Sequence, residues 1–252
     1  MVFFVLGRVL VAQRGNPGRL PSATDSYPMQ SLPPLRALLF DFDGLIVDTE
    51  WPIYEAWRKT FQDHGHPLSL ETFNQCIGTD FEIWSPKIHL EELTGATIDW
   101  PSLDEARQDS INKNLVGAPS MPGIPEAVEA GKECGLKLGV VSSSSHNWVD
   151  GWLARIALLE KFDLTVCRGD APRIKPAPDL YLEAARQLGV EPATCLVVED
   201  SVNGIKAAKA ASMPNVAIPN RVTGCCNFSI ADRVLGSAHE LAALLAELDP
   251  EG

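Results

Sequence analysis

Hydrophobic and polar positions first fall into a regular order at residue 35. Leu35–Phe40 is a short apolar run interrupted only by Arg36, the pattern of a strand buried on both faces. It stops at Asp41-Phe42-Asp43-Gly44. Beyond it, Pro52 suits the start of a helix, and Tyr54, Trp57 and Phe61 recur at helical spacing until Gly65. Further helical patterns cover 81–94 and 104–116, and no strand pattern lies between residues 50 and 117. Past Pro122-Gly123 helix and strand alternate. Helices are expected over 125–134, 148–158, 179–188 and 202–211, and strands over 136–141, 164–167, 195–198 and 216–218. Ser237 and Glu240, at capping-box spacing, open a last helix through Leu248.

Such alternation predicts an α/β fold, a doubly wound parallel sheet with helices on both faces. The stretch without strands is an all-helical insertion after the first strand. The expected organisation is an N-terminal extension over 1–34, a core of 35–49 with 118–252, and a helical cap over 50–117. The Pro-rich segment Ser31–Pro34 links extension to core.

Composition narrows the partners. At 252 residues and 45% apolar, the chain can bury a sizeable core. Its formal charge of −12 repels nucleic acid and anionic membrane surfaces, so neither is expected to bind. It also repels a phosphate ester, so a site for one needs local positive charge from a metal ion or well-placed Lys or Arg. No apolar stretch has the length of a membrane span. Residues 1–34 carry Arg8, Arg14 and Arg19 and no acid before Asp25, a weak likeness to an organelle transit peptide; the favoured reading is a loose extension. The six cysteines form no CxxC pair and no zinc spacing. They read as free thiols of a reducing compartment, the cytoplasm, with the vicinal pair Cys225-Cys226 incidental.

In a doubly wound sheet, ligands bind beyond the carboxyl ends of the strands. The polar residues expected there are Asp41 and Asp43, Ser142, Lys175 in the loop after the third strand, and Glu199-Asp200. Clustered carboxylates beside a phosphate make sense only around a cation. Asp41 and Asp200, with a backbone carbonyl near Asp43, are hard oxygen donors suited to Mg²⁺. Asp41 can attack phosphorus to give an aspartyl-phosphate. Asp43 can protonate the leaving alkoxide and later take a proton from water. Lys175 supplies a point positive charge to Asp41 and the phosphate. Ser142 and nearby N–H groups can bind the remaining phosphate oxygens, with Ser143, Ser144 and Ser145 one to three residues away.

Asp41-Phe42-Asp43-Gly44, Ser142, Lys175-Pro176 and Glu199-Asp200-Ser201 together resemble the four motifs of the haloacid dehalogenase superfamily, over roughly 35–248. The subfamily it resembles has a Rossmann-like core with a helical cap inserted after the first strand, and includes β-phosphoglucomutase and many sugar-phosphate phosphatases. The resemblance implies Asp41 as nucleophile, Asp43 as acid/base, Lys175 as a catalytic and phosphate-binding cation, and Ser142 and Ser143 as phosphate-binding residues. Asp41, Asp43, Asp200 and Glu199 would form the metal set, with Glu199 acting directly or through water. The expected activity is Mg²⁺-dependent hydrolysis of a small phosphorylated metabolite by a monomer. The alternative is a β-phosphoglucomutase-like phosphomutase. That family has an Arg after the cap's Gly-x-Ser/Thr turn and a His early in the first cap helix. Here the turn is Gly78-Thr79-Asp80 and the helix offers Pro52-Ile53-Tyr54, both departures from the mutase pattern. Specificity is expected from the cap, around residues 73–84.

Overall fold

The computed structural model describes residues 34–78 and 84–248. Readings that concern the N-terminal extension before residue 34, and those on residues 79–83, lie outside them. The sheet has six parallel strands: β1 (Ala37–Phe40), β2 (Lys137–Val141), β3 (Leu164–Val166), β4 (Cys195–Glu199), β5 (Asn215–Ala217) and β6 (Arg233–Val234), in the order β3-β2-β1-β4-β5-β6. The chain winds outward from β1 to β3, then crosses back to β4. The topological switch point therefore lies between β1 and β4, where Phe40 stands in register with both Val140 and Val198.

The alternation of side chains along β1 explains why both faces need covering. Leu38 and Phe40 join one core layer with α5 (Ile124–Glu133), α6 (His146–Arg155) and α9 (His239–Leu248). Ala37 and Leu39 join the opposite layer with α7 (Asp179–Leu188) and α8 (Val202–Ala210). All four residues of β1 are fully buried, as the uninterrupted apolar run predicts.

The insertion after β1 comprises α1 (Glu50–Asp63), α2 (Leu70–Phe73), α3 (Pro86–Thr94) and α4 (Trp100–Leu115). It contains no strand among its described residues. It has its own core of Tyr54, Trp57, Phe61, Phe73 and Leu90, which the core loop residue Val222 enters. Trp57 is buried there beneath the Arg107 guanidinium, 3.7 Å from the ring centroid. The two connections to the core run side by side: Met121 N–H donates to Ile46 O at 2.8 Å, and Val47 bridges Ser120.

Helix ends shift from the sequence expectation for local reasons. The first cap helix starts at Glu50, two residues before Pro52, because Pro is tolerated throughout a first turn whose N–H groups have no intrahelical acceptor. The helix expected from 81 begins at Pro86 instead, with Pro at its first position. The helix expected from 104 begins at Trp100, with Pro101 in its first turn. The helix expected over 148–158 is α6 over His146–Arg155, followed by a separate 3-10 turn over Leu159–Lys161. Strand β6 was not expected: it has two residues, neither buried, too few to show a period.

Candidate active site

The residues that follow the strands converge at the switch point. Asp41 continues the ladder beyond β1, its N–H donating to Val198 O at 2.9 Å, and Ser142 continues β2 through its N–H to Val166 O at 2.9 Å. Lys175, 1% exposed, reaches across with its ammonium bonded to Asp41 Oδ1, to Val141 O at 2.7 Å and to Glu199 Oε1 at 2.7 Å. Burial alone would lower the Lys175 ammonium, but the facing Asp41 and Glu199 carboxylates more than reverse that, and it is held above its usual value.

Glu199 is saturated. Its Oε1 accepts from Lys175 and from Tyr181 Oη at 2.7 Å, and its Oε2 accepts from Ser201 N and Oγ at 3.3 and 3.0 Å. Two donors on each oxygen use the lone-pair directions of a carboxylate. Asp41, Glu199 and Asp200 nevertheless bring carboxylate oxygens within 4.8 Å of one another. The sequence reading gave these three as parts of one metal set, and the geometry distinguishes them: Asp41 and Asp200 have oxygens to spare, whereas Glu199 orients Lys175.

Among the described residues, the charged residues that are buried as a whole are four acids, Asp41, Glu50, Glu199 and Asp200, and one cation, Lys175. Burial pushes Asp41 up to about 8, with Lys175 pulling the other way and Glu199 adding to the rise. Burial likewise holds Asp200 and Glu50 well above the carboxylate range, each reinforced by its acidic neighbours. Packed acids that resist ionisation for want of positive charge, all offering hard oxygen donors, fit a small divalent cation such as Mg²⁺.

The turn after β1 builds the floor of this cluster. Gly44 adopts φ +80°, and a Cβ there would lie 2.5 Å from Asp200 Oδ2 and 2.7 Å from Glu50 Oε2. Only glycine allows both the left-handed backbone and the approach of these acids. Asn220, in the loop after β5, closes the floor. Its Nδ2 donates to Asp200 Oδ2 at 2.7 Å, Gly44 O at 3.0 Å and Glu50 Oε2 at 3.3 Å. Its Oδ1 accepts from the N–H groups of Val222 and Thr223 at 2.7 and 3.0 Å, which fixes the amide orientation.

Asp43 sits at the pocket wall. Thr49 Oγ1 and Trp148 Nε1 each donate to its Oδ1 at 2.8 Å, and Ser144 Oγ donates to its Oδ2 at 2.6 Å. Ser142 Oγ is 3.4 Å from Oδ2 and accepts the Ser144 N–H at 3.0 Å. Ser143 turns away, its Oγ lying 3.5 Å from Gly78 O at the seam with the cap. These residues line a pocket of about 540 Å³. Ile53, Phe73 and Ile77 form its cap side and Arg168 its rim.

The sequence reading missed Thr49 and Glu50 as parts of the site, along with Asn220, Tyr181 and Trp148. Asp48, just before Thr49 in the chain, pairs with Arg221 at 2.6 Å. The rule that polar residues after strand ends converge also reaches Asn220, two residues past Ile218, the last residue of the strand expected over 216–218. Nothing local marks Tyr181 or Trp148, whose acceptors lie 18 and 105 residues away in the chain. Among the described residues no helix is long and apolar enough to cross a membrane, and all six cysteines are free.

Comparisons with known proteins agree with this geometry. The chain matches the haloacid dehalogenase-like hydrolase family over residues 38–218. It is 42% identical over 219 residues to the candidate phosphatase YhcW of Bacillus subtilis (strain 168), covering 86% of this chain and 99% of that one. It is 32% identical over 225 residues to hexitol phosphatase B of Escherichia coli (strain K12), covering 82% and 94%. Its fold is similar to that of a family hydrolase from Deinococcus radiodurans R1 solved with bound phosphate and sodium. The TM-score is 0.71 and the identity 29%, over 85% of this chain and 96% of that one. A parallel core with a helical insertion, an Asp-x-Asp after β1 and a buried lysine beside it thus coincide with extended sequence similarity: the chain belongs to the haloacid dehalogenase-like hydrolases and is a phosphoric monoester hydrolase.

Proposed function

We propose that this enzyme hydrolyses a small, sugar-phosphate-like monoester, with Mg²⁺ bound and through a phosphorylated Asp41. The observation that carries the reading is the placement of Asp41 at the switch point, bonded to the buried Lys175 ammonium and adjacent to Asp200. A carboxylate so placed is oriented for attack and faces positive charge where phosphate charge must be neutralised.

Asp41, Asp200 and the Asp43 backbone carbonyl would hold the metal. Bound there, Mg²⁺ supplies Lewis-acid neutralisation of the phosphate oxygens. Lys175 holds one Asp41 oxygen in place and favours the charged carboxylate against burial, and Glu199 with Tyr181 keeps Lys175 in place. Ser142 and the N–H groups of its loop bind the remaining phosphate oxygens. Ser143, turned to Gly78, would contribute to the phosphate site only from the cap seam. Asp43 protonates the leaving oxygen, then deprotonates the water that cleaves the phosphoenzyme. The helical cap, 50–117, closes the pocket over a substrate that fits about 540 Å³. The similarity to a protein named hexitol phosphatase B supports a polyol or sugar phosphate as the substrate class.

The test is phosphate release from a panel that includes sorbitol 6-phosphate, with Mg²⁺ or EDTA, by wild type and Asp41→Asn. Release that requires Mg²⁺ and disappears in Asp41→Asn is expected. Undiminished release by the folded variant, or by wild type in EDTA, would overturn the reading.

A further inference from the structure

Asp43 has two oxygens, and the structure treats them differently. Oδ1 accepts two donors, Thr49 Oγ1–H and Trp148 Nε1–H, both at 2.8 Å. Oδ2 faces the serine loop, with Ser144 Oγ at 2.6 Å and Ser142 Oγ at 3.4 Å. A hydroxyl can turn to accept a hydrogen bond, so Thr49 would tolerate a proton on either oxygen. An indole N–H only donates. A proton on Oδ1 would leave that oxygen a single lone pair and make it a poorer acceptor for the indole N–H, so Trp148 favours the proton on Oδ2.

Trp148 is held for this role by its surroundings. Its backbone N–H donates to Ser145 O at 3.0 Å in the first turn of α6. Its ring meets Trp152 edge-on, with centroids 5.9 Å apart, and packs on the core layer that contains β1. The N-terminal turn of α6 follows directly on the serine loop, so the helix that positions the indole also sets the loop bound to Oδ2.

We infer that Trp148 is a positioning residue for proton transfer: by donating to Oδ1 of Asp43 it biases the catalytic proton toward Oδ2, the oxygen beside the phosphate-binding serines. In the first chemical step Asp41 forms a bond to phosphorus and the bond from phosphorus to the ester oxygen breaks. The proton passes from Asp43 Oδ2 to that oxygen, which leaves as a neutral alcohol. Asp43 is left as a carboxylate, stabilised at Oδ1 by the indole N–H. This inference rests on the acid/base role proposed for Asp43.

The leaving group provides the test. An alkoxide leaving from sorbitol 6-phosphate needs the proton, whereas p-nitrophenolate leaves without it. The quantity to measure is the ratio of kcat/KM for sorbitol 6-phosphate to that for p-nitrophenyl phosphate. Both values come from one preparation, so the folded fraction cancels. Trp148→Phe keeps an aromatic ring and removes the N–H; its ratio is expected to fall about tenfold, a fraction of the roughly 10²–10⁴-fold that a general acid contributes, because Asp43 itself is retained. Asp43→Asn, measured alongside, should lower the ratio at least as far. A Trp148→Phe ratio within twofold of wild type, with Asp43→Asn reduced, would leave Trp148 a packing residue and overturn the inference alone. An unchanged Asp43→Asn ratio, or wild type inactive on sorbitol 6-phosphate, would instead overturn the underlying reading. If Trp148→Phe shows no cooperative melt, Trp148→Leu is read in the same ratio.

Discussion

Gly204 leaves room for Glu199: a Cβ on Gly204 would lie 1.8 Å from the Glu199 carboxyl carbon and from its Oε1. The first turn of α8 therefore packs directly on the carboxylate that anchors Lys175, while Ser201 caps that turn through its Oγ to Gly204 N at 3.0 Å. Gly204→Ala forces Glu199 aside and breaks its bonds to Lys175 and Tyr181. Overpacking of this kind costs about 1–3 kcal/mol. A lowered melting temperature is expected together with a loss of kcat larger than a surface Ala substitution on α8, such as Lys206→Ala, produces. Wild-type activity in Gly204→Ala would show that Glu199 has another place to go.

Asn220 donates one amide group to Asp200, Gly44 and Glu50. It orients a proposed metal ligand without being one itself. Loss of such support typically weakens metal binding by about 10–100-fold. Asn220→Ala should therefore raise the Mg²⁺ concentration for half-maximal activity by about that factor, with kcat at saturating Mg²⁺ less affected. A Mg²⁺ titration of phosphate release checks both quantities, and an unchanged midpoint would remove Asn220 from the metal's support.

His146 offers a pH-dependent contribution away from the buried carboxylate cluster. Its Nδ1 lies 3.0 Å from Asp150 Oδ2 on the same helix, and its Nε2 lies 2.7 Å from Asp170 Oδ2 in the loop after β3; the Thr165 hydroxyl is 3.4 Å from Nδ1. Partial burial opposes the charged ring, but the Asp170 and Asp150 carboxylates outweigh it and raise its pKa. A histidine raised above its unfolded value stabilises fully below that value, roughly pH 6.5. The stabilisation is lost as pH rises through the folded value. The melting temperature of wild type minus that of His146→Gln should thus be largest in mildly acidic buffer and shrink toward alkaline pH. A gap that widens with pH would contradict the ion-pair assignment.

The amino-acid sequence by itself determined the sheet's central strands and most of the polar residues at their ends. Buried strands announce themselves as short apolar runs, because both faces of each strand are covered. The residue after such a run lies at a carboxyl end whatever the rest of the chain does. Asp41, Ser142 and Asp200 were legible for that reason, and Lys175 through its motif. The absence of strands between 50 and 117 similarly marked the helical insertion. Only the tertiary structure decided which donor meets which acceptor. Tyr181 belongs to a helix on one face of the sheet, Trp148 to a helix on the other, and Asn220 to a loop beyond β5. Each meets a site carboxylate only once the layers have packed. Glu199 shows the same limit: its motif marks it as part of the metal set, and only the packed layers reveal that four donors from three residues, Lys175, Tyr181 and Ser201, also meet it. Periodicity is a local property of the chain, whereas hydrogen-bond pairing across layers depends on distances that no local pattern encodes.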